Sequence, residues 1–474
     1  MIDYRPETLH AALGEGFFDP VRAATFPRTL LRYRNQRWAD AVGLGGLDDD
    51  AWLAHFGRFE PLPGSFAEPL ALRYHGHQFR VYNPDLGDGR GFLFAQLRDR
   101  AGRLLDLGTK GSGRTPYSRG ADGRLTLKGG VREALATAML EAQGVYTSKT
   151  FSLIETGEAL QRNDEPSPTR AAVLVRLSHG HIRIGTFQRL AAEGDDTRIE
   201  RLVRHCLAHY PDPARPVAPD APIADAALSF FASVAARVGR LGAQWMAAGF
   251  VHGVLNTDNI VITGESFDYG PWRWLPTFDP NFTAAYFDHA GLYAFGRQPG
   301  ALKWNLARLA ECLLPFVGVE ALEPALDGFD AAFHEGLSAA VLARLGLATR
   351  GEAADEALVG ALFGFMRESG APFEGVMFDC AGGLPRLAER GSGPRGAFYA
   401  GEPFEALRRA LAGYEADGRL DLAGPHFSGE DPVTMTHDVS EAIWAPIARD
   451  DDWSAFHSAL RAIEGMRRAG ASTG

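Results

Sequence analysis

The hydrophobic pattern of this chain changes period along its length. Residues 1 to about 70 mix short helical repeats with proline breaks such as Glu60-Pro61-Leu62-Pro63-Gly64. Trp52, Phe56 and Phe59 fall there at helical spacing and read as core. Residues 92–97 and 104–110 read as two strands joined by the hairpin loop Asp99-Arg100-Ala101-Gly102-Arg103. Residues 131–143 predict a helix, because Ala, Leu, Met and Glu dominate, Leu135 and Met139 lie one turn apart, and Gly144 ends the run. Strands are predicted over 150–157 and 171–188, the latter including the alternating segment 181–187, and a short apolar strand over 260–263. Residues 189–250 read as helical, with a break at Tyr210-Pro211-Asp212-Pro213 and a long amphipathic helix over 226–248. Further helices are expected over 301–316, 319–345, 352–369, 402–416 and 452–468.

This order predicts an α+β protein in four parts: an N-terminal wrapping segment (1–70), a strand-rich lobe (71–190), a lobe carrying chemically suggestive loops (191–345) and a helical C-terminal extension (346–474). With 474 residues and 46% apolar content the chain can bury a large core. A formal net charge of −11 argues against general nucleic-acid binding. Cys206, Cys312 and Cys380 are widely spaced, so no disulfide framework is expected and a cytoplasmic location is the default. The N-terminus lacks the pattern of a signal peptide, and no apolar run reaches membrane-spanning length.

Candidate chemistry concentrates between residues 86 and 270. In Leu86-Gly87-Asp88-Gly89-Arg90-Gly91 three alternating glycines allow the backbone close to a ligand, and Arg90 adds a cation. Only four of the 48 basic residues are lysines, and Lys110 ends the returning strand of the hairpin. The Walker A order is absent; a glycine loop, strand, turn and lysine-bearing strand instead suggest a kinase-like hairpin. Glu133 then stands in the first turn of the predicted helix, where it can pair with Lys110 and point it at a phosphate, or simply stabilise the helix N-terminus. Asp122-Gly123 is a turn whose backbone could line the same cleft. Arg176 and Arg183 fall within apolar segments and each needs an anion, a structural carboxylate or a polyphosphate. His75 and His77 read as structural, as do His205 and His209, since neither pair has a further ligand at metal spacing.

The stretch His252-Gly253-Val254-Leu255-Asn256-Thr257-Asp258-Asn259, followed by Asp268-Tyr269-Gly270-Pro271, supplies two carboxylates and an amide oxygen. Asn259 and Asp268 are hard donors suited to Mg²⁺ or Mn²⁺, leaving Asp258 to accept a proton; the alternative is that Asp258 and Asn259 form an ordinary Asx-rich turn. An ordinary kinase carries its catalytic Asp two residues after the loop histidine, where this chain has Val254. Either the protein is catalytically dead or another carboxylate serves, and Asp258 is the nearest.

Taken together these motifs resemble the selenoprotein O (SelO/YdiU) family of kinase-like protein adenylyltransferases. The resemblance runs from about residue 70 to 310. It rests on Leu86–Arg90, Lys110-Gly111, Thr115-Pro116-Tyr117-Ser118-Arg119, Asp122-Gly123-Arg124, Arg132-Glu133-Ala134, Val175-Arg176, Arg183-Ile184-Gly185-Thr186-Phe187, the 252–259 loop, Asp268–Pro271 and Trp304-Asn305-Leu306-Ala307-Arg308-Leu309. It implies a protein-kinase-like two-lobed fold and transfer of AMP from ATP to Ser, Thr or Tyr hydroxyls of protein substrates, with pyrophosphate released. ATP would lie reversed relative to ordinary kinases. By the same resemblance Lys110 contacts phosphate and pairs with Glu133, and Gly87, Gly89, Arg90, Asp122 and Gly123 line the nucleotide pocket. Arg176 and Arg183 hold the terminal phosphates, Asn259 and Asp268 bind Mg²⁺ or Mn²⁺, and Asp258 accepts the proton. UMP transfer with Mn²⁺, γ-phosphoryl transfer and a nucleotide-binding pseudokinase scaffold are the alternatives. A monomer is expected. Three departures stand out: Arg80 occupies an expected glycine, His179-Gly180-His181 replaces an aromatic-containing segment, and the tail ending Ala471-Ser472-Thr473-Gly474 lacks the family's frequent C-terminal cysteine or selenocysteine. Beyond about residue 320 the resemblance is weak.

Overall fold

The computed structural model describes residues 3–163 and 165–470, so the last residues of the tail, 471–474, lie outside it. The fold is mixed α+β, with the strands concentrated in the first 180 residues and a helical remainder. Eleven strands precede that remainder: β1 (Pro6–Glu7), β2 (Phe18–Pro20), β3 (Leu30–Arg34), β4 (Leu70–Leu72), β5 (Gly76–Gln78), β6 (Val81–Asn83), β7 (Leu93–Arg98), β8 (Leu104–Lys110), β9 (Leu125–Thr126), β10 (Lys149–Leu160) and β11 (Thr169–Ser178). Nine of them form one sheet in the order β2-β4-β7-β8-β11-β10-β3, with β1 added to β7 and β9 to β11. Its ladders are antiparallel. The predicted hairpin is therefore β7–β8, and the first 70 residues supply β1, β2 and β3 to the sheet.

The central strands β8, β10 and β11 are almost wholly buried, and β11 carries the uninterrupted apolar run 171–175. Helix Leu127–Ala142 lies against β10 and β11. It starts earlier than the apolar pattern predicts because Thr126 caps it, its hydroxyl accepting from the Gly129 amide. A methyl on Gly130 would stand 2.4 Å from Leu153 Cδ1, so glycine here is what lets helix and strand approach.

Two predicted strands are not strands. Residues 181–187 alternate over too few positions to distinguish a strand from a helix start, and helix Ile184–Ala192 begins there, burying Ile184, Phe187 and Leu190 at three-residue spacing. Residues 260–263 make only an isolated bridge, Val261 with Arg183, flanked by the Ile184 N to Ile260 O and Ile262 N to Ile182 O bonds.

Helix Ile223–Ala248 ends at Gly249 in the left-handed conformation and leads through Phe250–Val251 to the loop at 252–259. Helices Val319–Leu345, Glu352–Ser369, Phe373–Cys380 and Gly401–Leu411 share a core of their own. The chain then returns to the sheet. Helices His437–Asp450 and Ser454–Ala469 pack on Leu127–Ala142, with Lys128 paired to Glu441 at 2.7 Å and Ile443, Ile463 and Met466 joining its core. Among the described residues, no helix is long and apolar enough to cross a membrane.

Candidate active site

Lys110 stands at the end of β8, opposite Leu174 of β11, and is almost fully buried. Its Nζ lies 2.7 Å from Glu133 Oε2 and 3.0 Å from Asp268 Oδ1. Arg176, two residues further along β11, places Nη1 3.2 Å from the same Asp268 oxygen and 3.7 Å from Glu133 Oε1. Two cations and two carboxylates thus alternate, which is how buried charges are tolerated. Burial alone would lift the Asp268 carboxyl; Lys110, Arg176, Arg183 and Arg90 outweigh it and hold the group well below the usual carboxylate range. Asp268 takes a φ of 59°, a left-handed backbone that Asp tolerates better than most residues.

Arg183 is 1% exposed. Its guanidinium lies 4.3 Å from the Tyr74 ring centroid and 4.9 Å from that of Phe267, with Nη2 3.4 Å from Asp88 Oδ1. Arg183 Nε and Nη1 and Arg176 Nε are buried and have no hydrogen-bond partner. Unmade bonds of this kind are costly, and several of them on neighbouring arginines point to an anion. Arg176 and Arg183 both face a cleft of about 340 Å³, whose wall also includes Gly87, Gly89, Arg90 and Lys110. The glycines are required by contact: a methyl on Gly87 would meet the Tyr117 ring at 2.3 Å, and one on Gly89 the Tyr117 carbonyl oxygen at 2.8 Å.

The 252–259 loop is pinned from several sides. His252 Nε2 donates to the Phe267 carbonyl at 2.8 Å, tying this loop to the one that carries Asp268. Asn256 Oδ1 accepts from the Phe79 amide and the Tyr293 hydroxyl. Thr257 Oγ1 accepts from the His77 amide and donates to Gln188. The His75 and His77 imidazoles bond Tyr82 and Gln188, so both histidines serve the scaffold. The β5–β6 turn places Phe79 and Arg80 at φ 49° and 66°. Arg80 thus adopts the left-handed backbone for which glycine is expected, its guanidinium 5.5 Å from the Trp304 centroid.

Asp258 lines the cleft, and its Oδ1 is buried without a partner. Burial pushes its carboxyl up to about 6, with Asp268 adding to the rise. Asn259 uses its amide nitrogen on the Val254 carbonyl at 3.0 Å, leaving the amide oxygen as its remaining ligating atom. Among the described residues, no three His, Cys, Asp or Glu side chains cluster as a metal cage.

Of the residues expected in a nucleotide site, Gly87, Gly89, Arg90, Lys110, Arg176, Arg183, Asp258 and Asp268 meet at this one cleft, with Glu133 behind Lys110 and Asn259 beside Asp258. Asp122 and Gly123 are not on its wall. Asp122 is held by Arg162 at 2.7 Å and by the Arg124 amide, and a methyl on Gly123 would strike the Gly113 backbone at 2.3 Å. The sequence reading singled out neither Asp88, which accepts from the Leu72 amide and from Arg183, nor Tyr74, nor Arg119, an exposed cation on the wall. Asp88 and Arg119 do stand inside motifs noted for their glycines and for Tyr117-Ser118. Nothing local distinguishes Tyr74.

The chain belongs to the family described as protein adenylyltransferase SelO, whose model matches residues 1–383. A protein nucleotidyltransferase YdiU of Gloeobacter violaceus is 43% identical over 473 residues, covering 97% of this chain and 94% of its own. One from Synechocystis is 50% identical over 341 residues, covering 71% and 70%, and one from Rhodopseudomonas palustris is 36% identical over 469 residues, covering 96% and 92%. The relationship therefore extends past residue 320, where motifs alone showed little, and includes the N-terminal 70 residues. This chain is a protein adenylyltransferase, an enzyme that uses ATP and acts on protein substrates.

Proposed function

We propose that this enzyme transfers AMP to Ser, Thr or Tyr hydroxyls with ATP reversed, its γ-phosphate deep against Arg176 and Arg183 and its α-phosphate facing Asp258. The observation that carries this reading is the set of unpartnered buried donors on Arg176 and Arg183, in the same cleft as the unpartnered Asp258 Oδ1. A polyphosphate satisfies the first and a hydroxyl proton the second. The acceptor oxygen attacks the α-phosphorus, the bond from that phosphorus to the bridging oxygen breaks, pyrophosphate leaves, and Asp258 takes the hydroxyl proton. A carboxyl raised to about 6 is ionised at neutral pH yet more basic than a free Asp.

Lys110, oriented by Glu133, contributes a fixed positive charge to the phosphates. Asn259 and Asp268 offer the hard oxygens that suit Mg²⁺ or Mn²⁺ alongside phosphate. The bound ion would supply further neutralisation of phosphate charge. A protein-kinase-like two-lobed arrangement accounts for the order of parts: an antiparallel sheet with its lysine and glutamate helix, then a helical body bearing the acidic loops. Three buried, unpaired cysteines fit work in a reducing cytoplasm, and a monomer is the simplest assembly. ATP labelled at either the α- or the γ-phosphate tests the reaction. α-label on protein is expected. γ-label alone would mean phosphoryl transfer, and no transfer with nucleotide bound would mean a scaffold.

A further inference from the structure

The chain carries a formal net charge of −11, yet a groove on the far side of the glutamate helix is strongly basic. A cavity of about 260 Å³ lies between β3, helix Leu127–Ala142 and the final helix Ser454–Ala469. Arg34, Arg37, Lys149, Arg467 and Arg468 line it. A second cavity of about 670 Å³ shares Arg34 and Arg468 and adds Arg32 and Arg461. Seven cationic side chains thus face one continuous groove that presents two carboxylates, Glu141 and Glu464.

Those carboxylates are already engaged. Glu141 pairs with Arg37 and accepts from Trp38 Nε1, while Glu464 is shared by Arg467 and Arg468 at 2.8 Å each. Arg32 is paired with Glu155 at 2.6 Å and Asp451 at 3.0 Å, whereas Arg34, Lys149 and Arg461 are less well compensated. Arg461 is exposed and has no ion pair among the described residues. Arg34 donates to the Leu47 and Gly45 carbonyls, has only the exposed Asp49 within reach at 3.7 Å, and keeps a buried Nε with no partner. Lys149 is 8% exposed, donates to the Thr147 carbonyl and lies 5.1 Å from the Trp38 ring centroid, but reaches its nearest carboxylate, Glu265, only at 4.0 Å. Burial lowers its pKa, a cost that a bound anion would reverse. The Thr137 and Thr150 hydroxyls on the cavity wall bond each other at 3.0 Å and add polar lining.

We infer that this groove is a second ligand site, separate from the catalytic cleft, for a small phosphorylated anion. Several guanidinium forks converging on one small volume match the planar, bidentate demands of phosphate oxygens better than a single charge would. The cavity is too small for a folded partner and suits a molecule of pyrophosphate size or somewhat larger. Because Glu141 and Glu133 ride on one helix, an occupant that draws Arg37 away from Glu141 bears on the same rigid element that aims Lys110.

Calorimetry with pyrophosphate on the full chain, its catalytic cleft first saturated with a non-hydrolysable ATP analogue, tests the site. One equivalent of pyrophosphate should still bind. The Arg461→Glu/Arg468→Glu variant should weaken that binding tenfold or more, and Arg461→Gln/Arg468→Gln by less, with the thermal melt and the basal AMP transfer unchanged in both. The inference is overturned if no heat remains once the cleft is filled, if both variants bind pyrophosphate as tightly as the parent, or if citrate binds the groove equally well.

Discussion

Gly76 packs directly against Asp258: a methyl group on Gly76 would stand 3.0 Å from Asp258 Oδ1 and 3.1 Å from its Cβ. The β5–β6 hairpin therefore bounds the position of Asp258, the residue proposed to accept the proton, by contact. Gly76→Ala should lower kcat by about tenfold through displacement of a reacting group, while nucleotide affinity stays near that of the parent. Steady-state transfer to a protein acceptor, with a parallel ATP-binding titration, separates the two quantities. An unchanged kcat would show that Asp258 is positioned from elsewhere.

Asp258→Asn should abolish transfer and also stabilise the fold. The folded-state pKa of about 6 lies above the ordinary 3.8, so the ionised carboxylate costs stability above pH 6, and that cost vanishes below 3.8. The gain on substitution should be of order 1–3 kcal/mol at pH 8, from ~1.4 kcal/mol per pKa unit, and should shrink as the pH falls. Melting curves at pH 8 and pH 5 measure it. In the parent enzyme, transfer should decline as the pH drops through about 6, where Asp258 takes up a proton.

Breaking the Lys110–Glu133 pair from one side leaves a buried charge poorly compensated. Glu133→Ala should cost roughly 3–5 kcal/mol, as removal of one partner from a buried pair does. The double variant Lys110→Met/Glu133→Leu should lose less than the two single changes summed. Urea unfolding of the four proteins gives the coupling, and strict additivity would mean that the contact contributes nothing.

Asp268 binds two cations in the structure and is assigned a metal ion in the reaction. Asp268→Ala should reduce transfer by at least ~10², yet leave Lys110 and Arg176 free for phosphate. ATP without divalent cation should therefore bind the variant at least as tightly as it binds the parent. Full activity in this variant would remove Asp268 from the site.

Lys110 and Glu133 were legible because each rests on a long local pattern, a lysine-ended strand and a strong helix, that nothing downstream overrides. Arg183 was found for the right chemical reason, a charge among apolar neighbours, but in the wrong element: four alternating positions do not separate a strand from the first turn of a helix. Asp122 lies off the cleft wall, and its Asp-Gly turn is silent about Arg162, 40 residues away, which takes up the carboxylate. Helix His437–Asp450 escaped notice because Pro446 interrupts its pattern just before the final turn. Asp88 and Tyr74 acquire meaning only once folding places them around Arg183.

The docking of Ser454–Ala469 on the glutamate helix has a consequence for the order in which the molecule is made. The loops proposed to touch nucleotide have left the ribosome long before Ser454–Ala469 emerges, yet the flank of Leu127–Ala142 that it covers stays bare until it does. A nascent or prematurely terminated chain would hold the nucleotide loops with their glutamate unsupported. The helix that carries Glu133 is therefore completed only once Ser454–Ala469 has been made, and a copy cut short before that point is born with one flank of Lys110's partner helix uncovered.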